Sequence, residues 1–284
     1  MEEMILLPGI ILEGGTFRPI FSAGVMDALL DNDIMFPYCI GVSAGISNGF
    51  SYISGQKGRN LKILVNHRND KRYIGRRNFL KCRSLFGLDF IYDEIPNKLY
   101  PYDWEALHNY EGRILVGVTN ARTGESEYLN GKTSDLKCTM LRATCAIPVY
   151  FPAIEWEEQF YYDGGLADPI PIKKSIQDGN QKNLIVLTRP EGYRKKYGRV
   201  NDIAIRMIRK KYPELERIIK NRHIIYNETV AFCEELEREG RAVILRPDHP
   251  LDSMEKSTDK LKENYRHGYD MVFKDIGKIK ALFQ

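Results

Sequence analysis

The pentapeptide Gly41-Val42-Ser43-Ala44-Gly45 is the strongest chemical signal in the sequence, because a GxSxG motif can present a serine hydroxyl as a nucleophile. An apolar stretch at residues 37–42 runs directly into it, and small or apolar residues continue to Ile53. This order predicts a strand, a tight strained turn that carries Ser43, and a buried helix, with Gly41 and Gly45 leaving room for neighbouring backbone. A serine that merely caps a helix is the alternative.

A serine nucleophile needs a base, and Asp163 is the best placed candidate. It follows an aromatic strand end and precedes two glycines, which let the backbone bring a carboxylate close to another loop. A carboxylate in hydrogen-bond contact can take the serine proton directly. An ordinary turn residue before Gly-Gly is the alternative. We interpret Asp168 as the cap of a helix that starts at Pro169 and not as a catalytic residue.

The late histidines are weaker candidates for the base. A triad in the order Ser, Asp, His requires a histidine late in the chain, and three are present: His223, His249 and His267. His249 lies in a proline-rich turn, and the other two lie on charged helical stretches with no motif around them. We therefore interpret all three as surface or helix histidines.

Backbone donors for an oxyanion are predicted just before the first helix. Gly14, Gly15, Thr16 and Arg18 lie between a strand and that helix, so their N–H groups can face the site at the positive end of the helix dipole. A dinucleotide site is the competing interpretation, but the GxGxxG spacing is absent because the two glycines are adjacent and Pro19 follows.

The elements that position these residues follow an α/β pattern. A buried strand at residues 5–12, a helix, a second strand and a second helix imply parallel strands with right-handed crossovers. Further strands are predicted at 113–119, 125–129, 160–162, 183–188 and 242–246, and helices at 136–145, 203–212, 215–238 and 256–282. The simplest architecture is one α/β/α sandwich with a less regular cap at about residues 55–110.

Composition predicts a soluble protein of the cytoplasm. The 284 residues are 43% hydrophobic and 28% charged, which is near the globular average. The mean hydropathy is −0.39, and the apolar run at 5–12 lacks a basic segment before it, so neither a membrane span nor a signal peptide is expected. The five cysteines form no CxxC or Cys/His cluster and are interpreted as reduced thiols, not as a zinc site: Cys39, Cys82, Cys138, Cys145 and Cys233.

Two basic segments stand out against a net charge of only +4. Residues 57–83 hold ten Lys or Arg and one acid, and residues 189–222 hold twelve Lys or Arg and four acids. Each can be a solvated helix face, or it can attract the protein to an anionic membrane or lipid. No nucleic-acid-binding motif accompanies the charge, so nucleic acid is not expected as a partner.

The order of these motifs resembles the patatin-like phospholipase family, which uses a Ser–Asp dyad without histidine. The shared features are a glycine-rich loop, a GxSxG about thirty residues later and a distal Asp-Gly-Gly, and residues 143–148 and Phe151-Pro152 resemble the family's segment before that Asp. The resemblance covers most of residues 5–190 and is closest to bacterial cytoplasmic members with an extra helical C-terminal region.

The resemblance implies a three-layer α/β/α fold with a mainly parallel sheet. It implies a catalytic domain at 1–200 and a mostly helical region at 201–284 packed on the same domain. It also implies Ser43 as nucleophile, Asp163 as base and residues 14–18 as the oxyanion hole. The implied activity is hydrolysis of lipid acyl esters, of the phospholipase A or lysophospholipase kind, without a metal or organic cofactor. Six apolar residues are candidates to receive an acyl chain or to fill the core: Phe50, Phe79, Leu85, Phe86, Phe90 and Ile91.

Two positions depart from the family loop, which usually runs Gly-Gly-Gly-x-Arg-Gly. Thr16 replaces the third glycine, so an N–H is kept but a Cβ can narrow the hole or prevent a positive φ. Pro19 replaces the last glycine and has no N–H, although it also suits the first turn of a helix. These departures leave open a lipid- or partner-binding protein with little turnover. An acyl-CoA thioesterase or acyltransferase is a further alternative, because it shares the serine turn, although it normally uses histidine.

Overall fold

A computed structural model describes residues 7–284, apart from the side chains of residues 81 and 82. The start of the predicted strand at 5–12 and the thiol of Cys82 therefore lie outside the description. The strand that follows, β1, covers Gly9–Leu12.

Eight strands form one sheet at the centre of the described chain. They are β1 (Gly9–Leu12), β2 (Tyr38–Val42), β3 (Arg113–Asn120), β4 (Ser126–Asn130), β5 (Ile154–Trp156), β6 (Gln159–Asp163), β7 (Asn183–Val186) and β8 (Ala242–Leu245). The order is β5, β6, β3, β2, β1, β7, β8, and β4 also pairs with β3. The pairs that join β3, β2, β1, β7 and β8 are all parallel, which confirms the prediction of a mainly parallel sheet.

Helices connect the strands and cover the sheet. They are α1 (Ile20–Leu30), α2 (Ser43–Ile53), α3 (Arg59–His67), α4 (Arg76–Cys82), α5 (Trp104–Asn109), α6 (Thr139–Thr144), α7 (Ile172–Gln177), α8 (Arg199–Ile208), α9 (Glu214–Arg238) and α10 (Thr258–Ala281). A π-helix, Phe90–Leu99, lies between α4 and α5. Within residues 7–284, no helix has both the length and the hydrophobicity that crossing a membrane requires.

Alternate residues of the strands face two separate cores. Ile10 and Leu12 of β1 pack into the core that contains α1, α2 and α10. Ile11 faces the opposite core, together with Ile172 of α7 and Val230 of α9. A parallel strand buried on both faces must be apolar throughout, as β1 is. The predicted three-layer α/β/α sandwich is therefore confirmed.

Helix α10 packs against α1 at unusually short range. A Cβ at Gly24 would lie 1.9 Å from the carbonyl oxygen of Tyr265, and a Cβ at Gly268 would lie 2.0 Å from that of Phe21. The Tyr265 hydroxyl also donates a hydrogen bond to Asp27 of α1, at 2.7 Å. The two glycines let the backbones meet, so α10 forms part of the same core as the N-terminal elements.

The segment from α3 to α5 covers one end of the sandwich and uses two of its basic residues structurally. Arg59 is 6% exposed and donates two hydrogen bonds to the carbonyl of Tyr100, at 3.0 and 2.7 Å. Arg68 is 2% exposed and donates to the carbonyls of Glu255 and Met254. The first basic segment is therefore only partly a solvated surface.

Several local predictions need correction. The helix predicted at 136–145 begins later, at Thr139, because Cys138 has a φ of +50° and cannot continue a right-handed helix. Strand β5 was not predicted. The predicted role of Asp168 as a helix cap is wrong, because α7 begins at Ile172 and the Asp168 carboxylate accepts a hydrogen bond from the Tyr128 hydroxyl, at 2.5 Å.

Strand β3 brings the ends of β2 and β6 together. Val42, the last residue of β2, pairs with Gly117, and Asp163, the last residue of β6, pairs with Val118. Strand β4 pairs with Gly117 and Val118 along one edge of β3. Strands β2 and β6 therefore both pair with the other edge of β3, one after the other along its length. Ser43 directly follows Val42, and it therefore meets Asp163 at this point of the sheet.

Candidate active site

Ser43 occupies a strained turn between β2 and α2. Its φ is +55°, in the left-handed region that costs a non-glycine residue about 1 kcal/mol. The Ser43 amide donates to Oγ1 of Thr144 at 2.7 Å, and that hydroxyl donates to the carbonyl of Gly117 at 2.6 Å. This pair of bonds ties the turn to β3.

The glycines around the turn are required by close packing. A Cβ at Gly41 would lie 2.6 Å from the carbonyl oxygen of Leu12, and one at Gly45 would lie 2.5 Å from that of Glu13. Gly14 faces the turn itself, since a Cβ there would lie 2.7 Å from Cβ of Ser43. The residues 41, 45 and 14 thus allow β1, its loop and α2 to approach as the motif predicted.

Asp163 is buried beside Ser43, with 5% of its surface exposed. Its carboxylate accepts a hydrogen bond from the Gly165 amide, at 2.8 Å, and interacts with the neighbouring Ser43 hydroxyl. Burial raises the pKa of Asp163, while the bond from Ser43 and the positive charge of Arg222 pull that pKa back down. A carboxylate held in this way is a suitable proton acceptor for the serine.

The loop after β1 lines a pocket together with Ser43 and Asp163. Gly15 has a φ of +151° and Thr16 a φ of +58°, so the threonine does adopt a positive φ despite its Cβ. Among the described residues, no hydrogen-bond acceptor contacts the amide of Gly15 or of Thr16. The next two amides are engaged, Phe17 with the carbonyl of Ser253 and Arg18 with the carbonyl of Gly15. The amide of Gly14 also has no acceptor among the described residues, so the loop keeps three donors available.

Pro19 serves the start of α1. It directly precedes the helix, and its carbonyl accepts from the Ala23 amide at 2.9 Å and from the Asn48 side chain at 2.9 Å. A fixed φ of −63° suits this position. Its departure from the family loop is thus accommodated by the helix start.

An apolar cavity opens on one side of Ser43. The residues that line it nearest the serine are Thr16, Phe17, Ala44, Tyr73, Phe86, Ile91, Tyr92, Cys145, Ile147 and Phe151, and it extends to Ile63, Leu64, Ile95 and Leu141. Of the six acyl-chain candidates, Phe86 and Ile91 line this cavity, Phe50 and Phe90 are buried in the core, Leu85 is partly buried against the core, and Phe79 is 51% exposed. Burial raises the pKa of the Cys145 thiol to about 11, so it stays protonated and does not compete as a nucleophile.

A second pocket, here called the cationic pocket, opens on the other side of Ser43. Its charged lining residues are Glu13, Arg18, Asp163, Arg189, Lys195 and Arg222. Arg189, Lys195 and Arg222 belong to the second basic segment, and sequence reasoning missed that they turn inwards. The local excess of positive charge was the signal, but charge counting cannot tell which members of such a segment face a site.

In the described part of the chain, the three late histidines line neither the apolar cavity nor the cationic pocket. Two of them form the one described group with metal-ligand side chains, because ligand atoms of Asp248, His249 and His267 lie within 4.8 Å of one another. Nε2 of His267 accepts from the Asp248 amide at 3.2 Å, and Nδ1 of His249 bonds the Asp248 carboxylate at 2.6 Å. These internal bonds already use the atoms that would bind a metal.

An α/β/α sandwich with a serine on a GxSxG turn after a parallel strand defines an α/β protein with a nucleophile elbow. The chain belongs to the patatin-like phospholipase family, whose model matches residues 10–175. A domain of unknown function, DUF6363, matches residues 212–284. Membership of the patatin-like phospholipase family supports lipid hydrolase activity in general.

Individual relatives are distant. The chain is 22% identical over 273 residues to the uncharacterized protein YjjU of Escherichia coli (strain K12), covering 91% of this chain and 74% of that protein. It is 25% identical over 195 residues to the probable lipid hydrolase 463L of Invertebrate iridescent virus 6, covering 61% and 65%. Among solved structures, VipD from Legionella pneumophila has a TM-score of 0.46 at 13% identity, covering 95% of this chain and 66% of that one. The chain thus spans just under two thirds of the viral protein and of VipD.

Proposed function

We propose that the protein is a serine acyl hydrolase that cleaves lipid acyl esters, in the manner of a phospholipase A or lysophospholipase. The observation that supports this most directly is the contact of the Ser43 hydroxyl with the buried Asp163 carboxylate at the mouth of the apolar cavity. Few buried carboxylates contact a strained serine for structural reasons alone, so the pair is best explained as a catalytic dyad.

In the first half of the reaction, Asp163 accepts the proton of the Ser43 hydroxyl while Oγ attacks the ester carbonyl carbon. The bond from that carbon to the alcohol oxygen breaks, and the alcohol leaves with the proton. In the second half, Asp163 takes a proton from water, which attacks the acyl-enzyme. The fatty acid departs, and the proton returns to Ser43.

The amides of Gly15 and Thr16 stabilise the oxyanion in this proposal. Both are free of partners within the described chain, and both lie in the loop that Gly14 holds against Ser43. One such donor contributes about 10² to 10³ in rate. The Arg18 amide is already bonded to the Gly15 carbonyl, so Arg18 contributes through its side chain.

The apolar cavity receives the acyl chain. It begins at Ser43 and Ala44 and is lined there mainly by aromatic and aliphatic side chains. A chain of methylene groups buried in such a cavity gains about 0.8 kcal/mol per group. Longer acyl chains should therefore be better substrates until the cavity is filled.

A fluorophosphonate probe and p-nitrophenyl esters of increasing chain length test the proposal. We expect wild-type protein to be labelled, and Ser43→Ala to be neither labelled nor active. Asp163→Asn should lose at least about 10³-fold in kcat, because it removes the base. Ser47→Ala is the matched control, since this second serine lines the same cavity, and its hydroxyl donates to the Ser43 carbonyl, at 3.1 Å, and lies 3.5 Å from Sγ of Cys145, without contacting Asp163. Labelling that survives Ser43→Ala, or a wild type that is never labelled, contradicts the proposal and favours a binding protein.

The proposal includes contact with an anionic membrane through α4. Phe79 and Leu80 of this helix are 51% and 88% exposed, and Arg76 and Arg77 beside them are also exposed. An antiparallel β-bridge between Ile74 and Phe86 brings together the two ends of the segment that carries α4, next to the apolar cavity. Apolar and basic side chains together bind an anionic surface, so α4 places the cavity at the lipid.

A reducing compartment suits this chain, and we place the protein in the cytoplasm at the inner membrane face. The thiols of Cys39, Cys138, Cys145 and Cys233 are free. Free, mostly buried thiols persist where glutathione and thioredoxin keep cysteines reduced.

A further inference from the structure

Four cationic side chains converge on the cationic pocket from three parts of the chain. Arg18 comes from the loop after β1, Arg189 and Lys195 come from the segment after β7, and Arg222 comes from α9. The segment that contains Arg222 is the DUF6363 match, so the C-terminal region supplies part of the wall next to Ser43.

The cations are held in place by other contacts. Nε of Arg222 donates to the Gly165 carbonyl at 2.5 Å, beside Asp163. The backbone of Lys195 is held on both sides by the Asn227 side chain of α9, at 2.8 and 3.0 Å, and its Nζ lies 4.6 Å from the centre of the Tyr226 ring.

Arg18 and Arg189 also have contacts that position them. Nε of Arg18 donates to Oγ1 of Thr188 at 3.3 Å, and its guanidinium lies against Gly15, where a Cβ would come within 2.6 Å of it. Arg189 lies over the Tyr193 ring at 4.4 Å. The four charges are thus fixed in direction and are not mobile surface side chains.

No carboxylate neutralises these cations directly. Within residues 7–284, none of the four forms an ion pair. Glu13 lines the same pocket, but its carboxylate accepts a hydrogen bond from the Thr188 amide at 2.6 Å and interacts with the Tyr226 hydroxyl. With four cations against Glu13 and Asp163, the pocket has an excess of two positive charges. Burial, followed by the charge of Arg222, lowers the pKa of Lys195 to about 7, although Glu13 acts in the opposite direction. The excess of two charges therefore applies when Lys195 is protonated, and a bound anion favours that protonated form.

The geometry points to the cationic pocket as the binding site for the phosphate of the substrate's head group, with a phosphate monoester, which carries two negative charges, as the preferred form. This inference rests on the proposed function and specifies its substrate class. With the ester carbonyl at Ser43 and the acyl chain in the apolar cavity, the alcohol side of the ester faces the cationic pocket. A phosphate there supplies the missing charge, and its oxygens match guanidinium donors. Arg189, Lys195 and Arg222 are then specificity-determining residues.

The test compares three lipids with one acyl chain: lysophosphatidic acid, lysophosphatidylcholine and the uncharged monoacylglycerol. We expect wild-type kcat/KM to be highest for lysophosphatidic acid. Lys195→Met and Arg189→Gln should each lower kcat/KM for that lipid by about 10- to 100-fold, the effect of one lost charge-assisted hydrogen bond. At a pH above the acidic limb of the pH–rate profile, both variants should lose far less activity on monoacylglycerol than on lysophosphatidic acid, because monoacylglycerol carries no phosphate. The pH is chosen because the charge of Lys195 lowers the pKa of Asp163.

Lys196→Met is the matched control for Lys195→Met. Lys196 is the next residue along the chain, is exposed and does not line the pocket, so its loss should change neither substrate. Equal wild-type kcat/KM on lysophosphatidic acid and monoacylglycerol overturns the inference. So does a parallel loss on both lipids in Lys195→Met, which marks the lysine as merely structural.

Two further measurements separate the remaining outcomes. Inorganic phosphate is added to monoacylglycerol hydrolysis, and an effect of phosphate without any head-group preference means that the pocket takes a free anion and that the inference is wrong. Binding of short-chain lysophosphatidic acid and monoacylglycerol to Ser43→Ala is measured by calorimetry. If no ester is hydrolysed by wild type but lysophosphatidic acid still binds more tightly in a Lys195-dependent manner, the proposed hydrolase fails and the phosphate site stands. Equal binding of lysophosphatidic acid and monoacylglycerol to Ser43→Ala contradicts the phosphate site as well.

Discussion

At the scale of single residues, Ser43 and Asp163 depend on different kinds of contact. The serine is set by local backbone, through a positive φ, flanking glycines and the Thr144 hydroxyl. The aspartate is set by burial and by a charge from a remote helix, since Arg222 of α9 lowers its pKa against the effect of desolvation. In the proposed mechanism, the balance between these two effects determines the pH at which Asp163 can act as a base.

The acidic side of the pH–rate profile should therefore respond to Arg222. In Arg222→Gln the pKa of Asp163 rises, since its neighbouring positive charge is lost, and kcat/KM on an uncharged p-nitrophenyl ester should begin to fall at a higher pH than in wild type. Arg217→Gln, an exposed arginine on the same helix, should leave the profile unchanged. An acidic limb that stays in place in Arg222→Gln, in a protein of unaltered melting temperature, contradicts Asp163 as the base.

At the scale of elements, a sheet edge and a helix pair hold the site together. Strand β3 sets the separation of the dyad, because Gly117 and Val118 pair with the residues that end β2 and β6. Helix α10 closes the core over α1, which follows the oxyanion loop. Glycine is required in both places, because a Cβ at Gly164 would lie 2.2 Å from the Gly117 carbonyl oxygen and one at Gly268 would lie 2.0 Å from that of Phe21.

Substituting Gly268 should test the helix pair. Gly268→Ala places a Cβ 2.0 Å from the Phe21 carbonyl oxygen, so the helices must separate, and we expect a loss of about 1 to 3 kcal/mol in the free energy of unfolding. Gly277→Ala on the same helix meets nothing within 4 Å and should stabilise by up to about 1 kcal/mol through helix propensity. Urea unfolding measures both. A Gly268→Ala protein as stable as wild type would show that the contact is looser than described.

At the scale of the whole molecule, the two basic segments have different roles. The first contains buried Arg59 and Arg68, which hold the chain together, and exposed Arg76 and Arg77 on α4. The second contributes Lys195 and others to the cationic pocket. A membrane contact through α4 therefore predicts that only the first segment determines vesicle binding.

Sedimentation with vesicles tests this orientation. The double substitution Arg76→Gln/Arg77→Gln should weaken binding to anionic vesicles by about 25-fold at low salt, at about 1 kcal/mol per charge, and wild-type binding should fall as salt rises. The control Arg209→Gln/Lys210→Gln removes two exposed charges from the second segment and should have little effect. Equal losses in the two double variants would mean that the surface contact is not at α4.

The sequence could predict the features that consecutive residues determine, but not those that depend on packing between distant parts of the chain. The turn at Ser43 and the strand before it are encoded in consecutive residues, and the apolar run of β1 indicates a strand buried on both faces. Helix starts were less certain, because Cys138 takes a left-handed φ that no motif indicates. Arg222 could not be assigned to the site, since only the packing of α9 beside Gly165 brings it there.

The contact of α10 with α1 also has a consequence for biosynthesis. The first helix leaves the ribosome early, but the surface around Gly24 that α10 covers stays open until Gly268 has emerged. At about 5 to 20 residues per second, the interval is on the order of 10 to 50 s. During that time the nascent chain exposes apolar side chains of α1, so chaperones have time to bind it.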